Sequence, residues 1–80
     1  MTKEQTGQRV LWRRRKLKLS QKKLAELSHI PTQVISGVER GEQDVHAQRL
    51  AVLAQHLGVS ADYLLGLSEK EEPSDGAPRG

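Results

Sequence analysis

The chain has 80 residues, enough for one domain with a modest core. It contains no cysteine, which excludes disulfides, thiolate metal sites and cysteine nucleophiles. The net charge of +3 is unevenly divided: residues 1–66 hold 11 Lys/Arg against 6 Asp/Glu, a balance of +5, whereas 67–80 hold 2 against 4, a balance of −2.

Helix punctuation organises the sequence. A first helix is expected from a cap at Thr6 to about Lys18, with Val10, Arg14 and Leu17 on one face. Leu11 and Trp12 fall off that face, where they either cover neighbouring helices or offer a surface to a protein partner. Ser20 caps a second helix that turns Leu24, Ala25 and Leu27 inward, and His29-Ile30-Pro31 breaks it. A third helix, about Thr32 to Arg40, buries Ile35 and Val38 and stops at Gly41. Glu42 to Val45 form a loop. A fourth helix carries Leu50, Leu53, Ala54 and Leu57 to Gly58, and Ser60 caps a fifth with Asp62 in its first turn. No segment alternates long enough to be a strand, so the expected fold class is all-α, a compact five-helix bundle. The domain is expected to span 1–66. Residues 67–80 read as a polar, disordered tail or a linker, with one apolar residue among the twelve from Glu69 to Gly80.

Between Arg9 and Lys23 every charge is basic, including Arg13, Arg14, Arg15, Lys16, Lys18 and Lys22. Such a run is either a solvated helix face or the footprint of a polyanionic partner. No apolar run approaches the roughly 20 residues of a membrane span, and residues 1–8 lack the apolar stretch of a signal peptide. A soluble cytoplasmic protein without a membrane partner is expected. His29, His46 and His56 lack metal-ligand spacing, Ser20 and Ser36 have no triad partners, and no glycine loop cradles a phosphate. Trp12 and Tyr63 are the two aromatics, too few for a single-strand stacking platform. Neither enzymatic activity nor a cofactor is expected.

The ordered set Leu19-Ser20-Gln21, Leu24-Ala25, Ile35-Ser36, Glu39-Arg40-Gly41, Leu53-Ala54, Leu57-Gly58-Val59-Ser60 and Asp62-Tyr63-Leu64-Leu65-Gly66 resembles the lambda-repressor- and Cro-like helix-turn-helix family of phage and bacterial regulators. The resemblance covers about residues 7–66. It implies a domain that binds operator double-stranded DNA, with the third helix in the major groove. With Ile35 and Val38 inward, Gln33, Ser36 and Gly37 face outward and Thr32 and Val34 flank them. By resemblance Thr32, Gln33 and Gly37 stand where the family reads bases. Gln33 suits adenine, and a Thr or Val methyl suits thymine. Gly37 has no side chain, so its expected value is close backbone approach to DNA.

Gln21 and Arg40 stand at family phosphate contacts, and Lys22 and Lys23 add charge nearby, although a cation in the first turn opposes the helix dipole. Arg14 and Glu39 match a buried pair between the first and third helices. Pro31 stands where a Ser or Thr usually caps the third helix, so Thr32 is expected to cap it instead. Glu42 and Asp44 make the next loop acidic where relatives contact phosphate. The reading is a homodimeric repressor on a palindromic operator, with its interface around Leu65 and Leu67. The alternative is an antitoxin or other protein-interaction module on the same scaffold.

Overall fold

Hydrogen-bonding side chains cap the N-termini of the first, second and fifth helices. The computed structural model describes residues 2–70 and contains five helices in that span. Helix α1 (Lys3–Lys16) opens on a capping box, in which Thr2 Oγ1 accepts from the Gln5 N–H and Gln5 Oε1 accepts from the Thr2 N–H, each at 3.1 Å. This corrects the expected cap at Thr6, which lies buried inside the helix and donates its N–H to the Thr2 carbonyl. The helix also ends early, because Lys18 adopts a left-handed conformation at φ +60°.

Helix α2 (Gln21–Ser28) starts at Ser20, whose Oγ accepts from the Lys23 N–H at 2.9 Å. His29 ends it at φ +58°. Helix α3 (Thr32–Glu39) has Pro31 at its N-cap and no side-chain cap, so Thr32 is the first helical residue and not the cap. Helix α4 (Ala47–Leu57) follows His46 and ends at Gly58, and α5 (Ala61–Leu65) is capped by Ser60 Oγ.

The core gathers one apolar stripe from each helix, with Val10, Leu24, Ile35, Val38, Leu53, Leu57 and Leu64 fully buried. Two expected core residues lie outside it. Leu27 is exposed because α2 turns Leu24, Ala25 and Ser28 inward; Ser28 tolerates burial by donating its hydroxyl to the Leu24 carbonyl at 2.7 Å. Leu17 is exposed because it caps the end of α1, where the chain turns away.

A glycine sets the α1–α3 crossing. Gly7 is buried against the carbonyls of Val38 and Glu39, and a Cβ there would overlap the Val38 oxygen. Two arginines tie α1 to the far end of the fold. Arg9 Nη1 donates to the carbonyls of Tyr63 and Ser68 at 2.7 and 3.0 Å, with its guanidinium over the Tyr63 ring at 4.5 Å. Arg13 Nε donates to the Leu57 carbonyl at 2.7 Å, at the negative end of α4. Ordered contacts thus continue past Gly66: Leu67 donates its N–H to Asp62, and Glu69 pairs with Arg9 at 3.1 Å. The rest of the expected tail, residues 71–80, lies outside the described residues. No helix among the described residues is long and apolar enough to cross a membrane.

Candidate nucleic-acid interface

Helices α2 and α3 are joined by the three residues His29–Pro31, so α3 is held by α2 on one side and by the Gly7 contact on the other. Thr32 and Gln33 are exposed at the start of α3, and Ser36 is half-buried. Val34 is also half-buried and packs against the core, leaving less of its methyl surface for a partner than its expected flanking place implies.

Gly37 requires a correction. Expected to face outward for close backbone approach, it is buried beneath the side chain of Gln43. The loop after α3 folds back onto the helix. The Gly41 N–H donates to the Val38 carbonyl at 3.0 Å and the Glu42 N–H to the Gly37 carbonyl at 2.9 Å, while Gly41 takes φ +77°. That turn lays Gln43 over Gly37.

Behind this surface, one carboxylate organises three helices. Arg14 Nε and Nη2 donate to Glu39 Oε2 and Oε1 at 2.6 and 2.9 Å, and Arg14 Nη1 donates to the Leu19 carbonyl at 2.7 Å. Gln21 Nε2, at the first position of α2, donates to Glu39 Oε1 at 2.9 Å. The hydrogen bond with Glu39 raises the Arg14 pKa above its ordinary value, so the guanidinium stays charged.

Arg40 is exposed at the end of α3 and bonds the Ser36 hydroxyl and, at 3.0 Å, Glu42 Oε1. That bond raises the Arg40 pKa and holds the Glu42 carboxyl below the usual carboxylate range. Lys22 and Lys23 are exposed in the first turn of α2.

The basic run divides in two. Arg9, Arg13 and Arg14 turn toward carbonyls or Glu39, whereas Arg15, Lys18, Lys22 and Lys23 are exposed. Charge counting therefore overstates the surface available to a polyanion. Residue types and spacing place Arg9 and Arg13 only in the basic run and give Gly7 and Gln43 no role. A glycine inside a helical pattern was a usable signal for Gly7, but the arginine contacts span 54 and 44 positions and leave no local trace. No group of His, Asp and Glu among the described residues is placed to hold a metal ion.

The fold and this surface define a helix-turn-helix domain of the lambda-repressor type. The chain belongs to the helix-turn-helix family, whose model matches residues 10–64. It is similar to an uncharacterized transcriptional regulator in the ATPase CF(0) region of Rhodospirillum rubrum, with 39% identity over 67 residues. That match covers 84% of this chain and 62% of the relative's length.

Among solved structures, the restriction-modification controller protein C.AhdI from Aeromonas hydrophila is 34% identical with a TM-score of 0.74, over 78% of this chain and 94% of that one. The DNA-binding domain of the P22 c2 repressor is also 34% identical, with a TM-score of 0.75 over 89% of this chain and 96% of that one. The clp gene regulator ClgR from Corynebacterium glutamicum is 27% identical, with a TM-score of 0.77 over 84% of this chain and 71% of that one.

Proposed function

We propose that this chain binds double-stranded DNA sequence-specifically and regulates transcription, as a repressor that sits on a palindromic operator as a homodimer. The observation that carries this reading is the surface of α3. Thr32 and Gln33 are exposed at its start and Arg40 at its end, where Gln21 of α2 also reaches Glu39. Gln33 supplies a donor and an acceptor for a base edge, which fit adenine. The first turn of α2, with Lys22 and the N–H groups that the Ser20 cap leaves open, suits a phosphate, and Arg40 suits a second. The related regulators named above support the regulatory part of the reading.

Trp12 favours a second reading, since it is 55% exposed on α1 beside the half-buried Leu11. A scaffold of this kind with a large exposed aromatic also suits a protein-interaction module, such as an antitoxin.

Selection from a random duplex pool tests the first reading. Enrichment of a short palindrome, lost at one base pair per half-site in Gln33→Ala, supports it. Absence of duplex binding even at low salt rejects it in favour of the interaction module.

A further inference from the structure

Gln33 and Gly37 are one helical turn apart and share a face of α3. Gln33 is exposed there, while Gly37 contributes no side chain. The space above Gly37 is nonetheless filled. A Cβ built on it would fall against Gln43 Nε2 and lie 2.9 Å from Gln43 Cδ and 3.1 Å from Cγ. The backbone beneath Gln43 is fastened to the last turn of α3 through the Glu42-to-Gly37 and Gly41-to-Val38 hydrogen bonds. Gln43 is exposed, and its side-chain amide makes no hydrogen bond among the described residues. An amide thus lies on the same face as Gln33 with its donors and acceptor uncommitted.

We propose that Gln43 reads a base, its amide standing in for the side chain that Gly37 lacks and extending the row that Gln33 begins. The inference rests on the DNA-binding reading above. In the major groove the Gln43 amide can donate to adenine N7 and accept from adenine N6, a two-point contact that no other base edge there offers. The absence of a side chain at Gly37 is what admits the loop amide: any larger residue would push Gln43 off the helix.

The test is binding-site selection at one salt concentration with the wild type, Gln43→Ala, Gly37→Ala and Gln33→Ala. Gln43→Ala is expected to lose discrimination at one base pair per half-site by about 5- to 150-fold, the range that one bidentate side chain–base pair supplies. Gln33→Ala is expected to keep that position and lose a different one. In Gly37→Ala only the flexible end of Gln43 must move, so the domain folds, and it is expected to lose the same base pair as Gln43→Ala.

If Gln43→Ala keeps the wild-type preference, or weakens all duplexes alike, Gln43 does not read a base. Retention of that preference in Gly37→Ala overturns the stand-in geometry. A wild type that selects no duplex overturns this inference together with the reading beneath it, whereas selection by the wild type with an unchanged Gln43→Ala overturns the inference alone.

Discussion

Arg14 and Glu39 meet in a two-point contact of 2.6 and 2.9 Å, with their side chains 11% and 4% exposed. Such a pair is weak as a source of net stability but costly to break from one side, because the survivor is left charged and buried. Glu39→Ala is expected to cost about 3 kcal/mol, at the low end for a broken buried pair because Arg14 keeps the Leu19 carbonyl. The melting temperature should drop by more than about 10 °C in a domain of this size. Replacing both partners with apolar residues, as in Arg14→Met with Glu39→Leu, should recover most of the loss. A Glu39→Ala melt within 2 °C of wild type would show that the pair carries no stability.

Gly7 and Gly37 both sit inside helices, yet alanine should have opposite effects at the two. Alanine stabilises a helix interior by roughly 0.5–1 kcal/mol over glycine. At Gly7 the new Cβ meets the Val38 carbonyl, which is fixed backbone. Overpacking of that kind costs about 1–3 kcal/mol and outweighs the gain. At Gly37 the obstacle is the mobile end of Gln43, so the helical gain survives. Urea unfolding should rank Gly37→Ala at or above wild type and Gly7→Ala below it. The reverse order would mean that α1 and α3 can separate without cost.

The exposed Arg40–Glu42 pair makes Glu42 a competitor for the cation proposed to meet a phosphate. Surface pairs of this kind are weak, so Arg40 can change partners readily. Glu42→Gln should raise affinity for every duplex by about two- to fivefold at low salt, with the gain vanishing as salt rises. Arg40→Ala should weaken all duplexes alike and leave the selected sequence unchanged. Fluorescence anisotropy across a salt series reads both effects. A change in sequence preference in either variant would show that the pair does more than meet the backbone.

Much of the fold was legible because its punctuation is local. Ser20, His29, Gly41, Gly58 and Ser60 each end or start a helix through contacts within a few residues. The Thr2 cap was also readable as a Thr-x-x-Gln box, but Thr6 offered a competing hydroxyl four residues on. Leu27 misled because an eight-residue helix gives too few turns for periodicity to choose between Leu27 and a hydroxyl-satisfied Ser28. The basic run misled more. Arginines that hold distant carbonyls look the same in sequence as arginines that face a phosphate. Gln43 was hidden for a similar reason: its place over Gly37 depends on a loop folding back, and residue types alone do not encode that.

One recognition helix reads only a few base pairs, and a module of this size buries too little surface for discrimination on the scale of a genome. Two copies related by a two-fold axis would place their α3 helices in successive major grooves, about 34–36 Å apart. Leu67 is 68% exposed, and Arg9 holds the segment that carries it through the Ser68 carbonyl and Glu69. A leucine displayed from an anchored segment suits a self-complementary contact, with the half-buried Leu65 beside it. Leu67→Glu should therefore weaken binding to a full palindrome while leaving half-site binding unchanged. If six to ten phosphates are neutralised per dimer, affinity for the palindrome should drop about 10³- to 10⁵-fold between 50 and 200 mM salt. Equal affinity of the wild type for one half-site and for the palindrome would reject the dimer, whatever the oligomeric state free in solution.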